Sequence, residues 1–149
     1  MNKSQIGKRG EQAAAKYLKA HGYDVIEKNL HISHQEIDIV ALNRDCIVFV
    51  EVKTRTIHPE DADRFSTPAA AVTQQKQQFL LKAASKYIIE HEYALQPRMD
   101  VIEVYLAPDQ EISPLQDFWE RLSGIFGIPK RKVLHINHIE NAFGYRRYR

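Results

Sequence analysis

Cysteine is almost missing from this chain: Cys46 is the single example in 149 residues. A disulfide framework is thereby excluded, and a reducing, cytoplasmic setting is expected. Long apolar runs are missing as well. Nothing approaches the roughly 18 apolar residues of a membrane-spanning helix, so no membrane partner is expected. The opening MNKSQIGKRGEQ lacks the apolar stretch of a signal peptide. Charge of one sign is not in excess either: 21 Lys and Arg stand against 19 Asp and Glu, a net +2. Any recognition of nucleic acid must therefore come from local patches, such as Lys3, Lys8 and Arg9, Lys130, Arg131 and Lys132, or Arg146, Arg147 and Arg149. Internal repeats and low-complexity tracts are absent, which excludes solenoids and flexible linkers.

What remains is the composition of an ordinary globular domain, 44% hydrophobic and 27% charged, in a chain long enough for one core. SQIGKRGEQAAAKYLKAHGY has helical spacing in Ile6, Gly10, Ala13, Ala14, Tyr17 and Leu18, with Ser4 as N-cap and Gly22 as the stop. Strands are expected at 23–29, 35–42 and 46–54. The third of these is nearly all apolar, as for a strand covered on both faces. Residues 55–71, with Pro59 and Pro68, read as a loop. A helix from Thr73 to about His91 presents Phe79, Leu80, Ala83, Ala84, Tyr87 and Ile88 on one face. Strands follow at 98–106 and 132–139. The order α-β-β-β-α-β is that of an α/β domain with a mixed sheet and helices on both faces.

One stretch does not fit an apolar strand. In FVEVKTR (49–55), Glu51 and Lys53 share a face with Ile47 and Phe49, while Val48, Val50 and Val52 share the other. A solvated pair, a structural ion pair and a catalytic site all compete for these two charges. The preceding strand is one short turn away. If that turn has Arg44 and Asp45 at its centre, Asp38 falls opposite Glu51 and Glu36 opposite Lys53. A three-residue turn would send Asp38 to the other face, and Arg-Asp is not a favoured hairpin pair. Two opposed carboxylates repel unless a cation lies between them. Lys53 supplies part of that charge. A divalent metal would supply more, bind carboxylate oxygens readily and leave room for phosphate and water. Lys53 could then orient or deprotonate the attacking water and steady charge on phosphorus.

Asp38, Glu51, Val52 and Lys53 resemble the D…(E)xK signature of the PD-(D/E)xK nuclease superfamily. At closer range, GKRGEQAA (7–14), GYDVIEKN (22–29), QEIDIVA (35–41), FVEVKTR (49–55), AVTQQKQ (71–77), RMDVIEV (98–104) and INHIENAF (136–143) resemble, in order, the blocks of the YraN family. Those are bacterial endonuclease-like proteins related in fold to Holliday-junction resolvases. The resemblance implies a restriction-endonuclease-like core. It implies a single domain over 1–149, with a core of about 1–106 plus 133–143, an inserted appendage at 107–132 and a basic tail at 144–149. It implies Mg²⁺, with Mn²⁺ as the alternative, held by Asp38, Glu51 and the Val52 carbonyl. Lys53 would be the catalytic lysine, and Glu11 would be a helix-borne acid reaching the same metal. DNA is the implied partner, with Arg55, Lys76, Gln77, Lys8 and Arg9 placed to meet phosphate. Branched or flapped DNA and a homodimer are compatible with the resolvase-like relatives. Gln35, Leu30 and His31 depart from the family pattern, and 107–132 is longer than its usual connection.

Other residues carry two readings. His31, His34 and Glu36 form a loose H-x-x-H-x-E without the regular spacing of a zinc site. Asp100 reads as a structural partner of Arg98 or of the long helix. Cys46 reads as a small strand hydrophobe. Phe118, Trp119, Leu122 and Phe126 could pack or could meet bases. Two functions compete with a metal-dependent nuclease. One is a non-catalytic nucleic-acid-binding module of the same fold. The other is a protein-interaction module acting through 107–132.

Overall fold

The computed structural model describes residues 3–58, 60–61, 72–108, 118 and 132–144. Trp119 and Phe126 of the expected appendage lie outside the described residues, as does the tail from residue 145. Phe118 is described and is exposed. The elements are α1 (Lys3–Ala20), β1 (Asp24–Ile32), β2 (Gln35–Leu42), β3 (Cys46–Thr56), α2 (Gln74–His91), β4 (Gln96–Leu106) and β5 (Val133–Phe143). The strands form one sheet in the order β1-β2-β3-β4-β5. β3 and β4 are parallel, and the other neighbouring pairs are antiparallel. The helix between β3 and β4 is the crossover that a parallel pair requires.

The two helices cover opposite faces. Ala13, Ala14, Ala15 and Leu18 of α1 pack with Ile39, Ala41, Val48, Val50, Ile102 and Val104. Leu80, Ala83, Ala84 and Tyr87 of α2 pack with Val40, Ile47, Phe49, Met99 and Val101. The central strands are therefore apolar on both sides, which is why β3 reads as a continuous run. Phe79, expected on the buried face of α2, is instead 39% exposed.

Helix ends follow local chemistry. The Thr73 side chain accepts the Lys76 N–H and caps α2. α1 is already helical at Lys3, so Ser4 lies inside its first turn and is not the cap that was expected. Gly22, at φ 86°, reverses the chain after α1 as expected. Both β1 and β5 run past their expected ends, to Ile32 and Phe143. β5 continues through Asn141, which takes φ 50°. Its register against β4 shifts between Met99 and Val101.

Asp100 fills that irregularity. It is fully buried and accepts from Arg98 Nε at 2.9 Å and Arg98 Nη2 at 2.7 Å. His138 Nε2 lies 2.7 Å away, and the Asn141 N–H donates at 2.9 Å. Burial pushes the Asp100 carboxyl up, but the bonds from His138, Arg98 and Asn141 outweigh it, and the group titrates below its ordinary value. Arg98 also donates to the Tyr23 hydroxyl at 2.7 Å. The cluster ties the start of β1 and the end of β5 to β4, as the structural reading of Asp100 anticipates.

α1 comes unusually close to β3. A Cβ added to Gly10 would lie 2.8 Å from Thr54 Cβ, whereas one added to Gly7 would meet nothing within 4 Å. Gly10→Ala should therefore destabilise by about 1–3 kcal/mol through overpacking. Gly7→Ala should stabilise by about 0.5–1 kcal/mol through the helix preference for alanine. Urea unfolding of the two variants reads these opposite signs. Among the described residues, Asp100→Asn leaves Arg98 only the exposed Glu140 as an acid partner, 3.7 Å away, and should cost about 3 kcal/mol. The depressed folded value means that Asp100 contributes fully above the ordinary carboxylate value of 3.8. That contribution is lost as pH falls below 3.8 through the folded value, so the variant's stability should fall less steeply with acid than the wild type's. Urea midpoints measured from pH 6 down to pH 2 check this.

Candidate functional site

The β2–β3 turn fixes the site. Asn43 Oδ1 accepts the Asp45 and Cys46 N–H groups, each at 2.9 Å, and the Asn43 N–H donates to the Cys46 carbonyl at 3.0 Å. Arg44 and Asp45 are thus the two central residues. The ladder that follows pairs Leu42 with Ile47, Ala41 with Val48, Val40 with Phe49 and Ile39 with Val50. Continued by one step, this register sets Asp38 against Glu51.

The ladder stops before that step, and the Asp38 side chain takes over. Its Oδ2 accepts the Val52 N–H at 2.8 Å. Ile37 packs on the α2 side and Ile39 on the α1 side, although they are only two apart. The regular alternation of β2 therefore breaks at Asp38, and its carboxylate turns toward β3. Glu36 is displaced by the same break. It was expected opposite Lys53, but it lies by Glu11 and Asn29. With its nitrogen turned toward them, the Asn29 amide donates to Glu36 Oε1 and Glu11 Oε2, both at 3.1 Å.

Glu51 is the buried centre, 7% exposed. Lys53 Nζ lies 3.4 Å from its Oε1, and the Lys76 ammonium hydrogen-bonds the same oxygen. Lys76 comes from the first turn of α2, and Thr73 holds that turn in place. Gln77 faces elsewhere and donates to the Val72 carbonyl at 2.7 Å. Glu11 reaches the site from α1, because the Gly10–Thr54 contact brings that helix to the level of β3 residues 51–55. Burial raises the Glu11 carboxyl; Asn29 opposes this, and the charges of Glu36 and Glu51 add to it. Burial, then the charge of Glu51, pushes Asp38 up to about 7 against the pull of the Val52 N–H, and Glu11 adds to the rise.

The site is thus rich in acid, with two lysines both directed at Glu51. No group of three or more His, Cys, Asp or Glu side chains close enough to hold a metal occurs among the described residues. The donor set is two carboxylates and a backbone oxygen. A strand residue points its N–H and C=O to the same side, so the Val52 carbonyl faces β2 alongside the Asp38 carboxylate. These are hard oxygen donors. They suit a cation that keeps most of its own waters, as Mg²⁺ does, rather than one needing a full protein cage.

The surroundings favour anions. β3 and β4 are parallel, and the site lies toward their C-terminal ends, where open α/β sheets bind ligands. Lys76 places the N-terminal turn of α2 there. Lys8 and Arg55 are exposed at this end of the molecule, and Arg9 is half-buried. His31 and His34 are exposed at the β1–β2 turn.

Sequence reasoning missed one residue of this face. Glu103 of β4 is the register partner of Lys53 and is fully buried. Its Oε2 accepts from Tyr105 Oη at 3.0 Å and Asn137 Nδ2 at 3.1 Å. Among the described residues its Oε1 has no hydrogen-bond partner, a condition that costs about 1–3 kcal/mol. The signal was weak, because a parallel pairing across a helical crossover is not readable from local pattern.

The fold and site define a class: an α/β protein with a five-stranded mixed sheet between two helices, consistent with a restriction-endonuclease-like core. Residues 10–104 match the model of the Uncharacterised protein family UPF0102. A UPF0102 protein of Caldanaerobacter subterraneus subsp. tengcongensis is 40% identical over 144 residues, covering 96% of this chain and 98% of its own. UPF0102 proteins of Alkaliphilus oremlandii and Caldicellulosiruptor saccharolyticus are 37% and 34% identical, each across 96% of this chain and 100% of their own. The chain belongs to the UPF0102, or YraN, family.

Two lysines on one buried carboxylate make a further test of the geometry. Lys53→Met or Lys76→Met alone should cost about 1 kcal/mol or less, because the other lysine still balances Glu51. The double variant should cost more than the sum, because the buried acids are then left uncompensated. Adding Asp38→Asn should recover part of that loss. Urea denaturation of the wild type and these four variants measures the coupling.

Proposed function

We propose that this protein is a metal-dependent nuclease that hydrolyses phosphodiester bonds of DNA. The observation that carries the reading is the convergence of Asp38 and Glu51, from two strands, beside Lys53 and Lys76. A structural ion pair needs one acid and one base. Here a second carboxylate is brought against the first through a break in β2, at an electrostatic cost that a purely structural pair would avoid.

Asp38, Glu51 and the Val52 carbonyl would hold Mg²⁺, with Mn²⁺ as the alternative. A bound divalent cation would offset charge on the scissile phosphate and favour hydroxide at neutral pH. Lys53, on the same strand face as Glu51, orients the attacking water as a hydrogen-bond donor and steadies the charge that builds on the phosphate. Lys76 stands at a capped helix N-terminus and meets a phosphate oxygen when Glu51 no longer engages it. Glu11 contributes from α1, through water or directly. Arg55, Lys8 and Arg9 contact the flanking backbone, and Gln77 steadies the segment that delivers Lys76. With a net charge of only +2, affinity rests on these few contacts and falls as salt rises.

Incubating the protein with labelled linear, flapped and four-way DNA in Mg²⁺, Mn²⁺ or EDTA tests the reading. Cleavage should require the metal. It should fall at least about a hundredfold in Asp38→Ala and Lys53→Ala, the scale of losing a proton-transfer or charge-stabilising group. His34→Ala, on the exposed turn, should cleave like the wild type. Cleavage that survives both site substitutions would sink the assignment. DNA binding without cleavage would favour a non-catalytic binding module of the same fold.

A further inference from the structure

The unsatisfied oxygen of Glu103 extends this site. Glu103 and Lys53 are in-register partners on adjacent parallel strands. They therefore point to the same face from backbones about 4.8 Å apart. Glu103 is closed off from solvent, and two neutral donors, Tyr105 and Asn137, fix its Oε2. Oε1 has no hydrogen-bond partner among the described residues. Two residues before Lys53 on β3, two ammonium groups share the single oxygen Glu51 Oε1. A native protein seldom leaves a buried carboxylate oxygen without a partner when its register partner is a lysine.

We propose that Glu103 is the second resting place of the Lys53 side chain. The ammonium sits on Glu51 while no divalent cation is bound, and moves to Glu103 Oε1 when the cation takes Glu51. Glu103 is thus a positioning residue. It clears Lys53 from the carboxylate that must bind metal and holds it nearby, where the attacking water would stand. The inference rests on the metal-site reading above, and it concerns this chain's own groups. The second acid that Lys76 faces, Asp38, would itself hold the metal, so Lys76 is left to meet phosphate. The division of labour between the two lysines follows from which of them has a buried carboxylate as its register partner.

Calorimetric titration of the full-length protein with MgCl₂ tests this without reference to activity. The wild type should show saturable binding that Asp38→Asn removes. Glu103→Gln should weaken that binding about tenfold, because Lys53 then lacks a charged partner to move to and competes for Glu51. In Lys53→Met the competitor is gone, so adding Glu103→Gln to it should change nothing. That rescue separates positioning from general loosening of the fold. Wild-type affinity in Glu103→Gln would overturn the proposal. So would an equal weakening by Glu103→Gln with and without Lys53. Absence of any Asp38-dependent binding in the wild type would instead remove the metal-site reading itself, and this inference with it. If Glu103→Gln fails to fold by circular dichroism, a crystal structure of the wild type with Mg²⁺ decides. Lys53 Nζ in contact with Glu103 Oε1 supports the proposal, and Lys53 still on Glu51 refutes it.

Discussion

The arrangement depends on one unfavourable contact, the approach of Asp38 to Glu51. Like charges on opposed strands repel by an amount comparable to other cross-strand terms, and burial of Glu51 amplifies it. The structure answers in three ways. The Val52 N–H takes the Asp38 carboxylate in place of a ladder bond. Lys53 and Lys76 converge on Glu51. Burial, and then the charge of Glu51, raises Asp38 to about 7, so that it takes up a proton near neutrality. Each answer recruits a different element: β3, α2 and the solvent proton. The placement of α2 is therefore tied to the same charge balance as the strand register. The close approach of α1 at Gly10 adds Glu11 to the acidic side of that balance.

Much of this was legible in the sequence because it rests on short-range rules. Strand alternation set Glu51 and Lys53 on one face. Helical spacing found both helices. The two-residue turn gave the register that sets Asp38 opposite Glu51. Turn propensity alone could not choose that register, since Arg44-Asp45 is an unfavoured centre. The deciding group is the Asn43 side chain, which takes two backbone N–H groups and makes the turn through the residue before it. What could not be read was of longer range or irregular. The break in β2 that turns Asp38 inward and sends Glu36 to Glu11 violates the alternation on which its prediction rested. The meeting of Lys76 with Glu51 spans 25 residues and depends on how the crossover closes. The register of β4 against β3, which sets Glu103 beside Lys53, depends on the same closure.

Family membership and geometry bear on different questions. Relatives that match across nearly the whole chain establish a shared fold, but the shared family name is that of an uncharacterised group. Chemistry is carried by the side chains and their placement, not by the fold. The polar groups of this sheet are not scattered. Asp38, Glu51 and Lys53, with Glu103 in register, occupy neighbouring positions on three strands, with the N-terminus of α2 beside them.

The two fully buried acids of β4 show how a structural role and a functional one can be told apart. Asp100 and Glu103 lie three residues apart on opposite faces of one strand. Asp100 is saturated: a bidentate arginine, a histidine and a backbone N–H satisfy both oxygens. It closes an irregularity in the β4–β5 ladder, and any movement of its partners would cost stability. Among the described residues Glu103 is half satisfied, by neutral donors alone, and its register partner is Lys53. A saturated network fixes a single arrangement. An unsaturated one leaves a lower-energy position available to a neighbour that can move. Lys53 is long, a third exposed, and held by an oxygen that another lysine already occupies. On a rigid sheet whose core is apolar on both faces, that pair is where a second arrangement can exist without disturbing the fold.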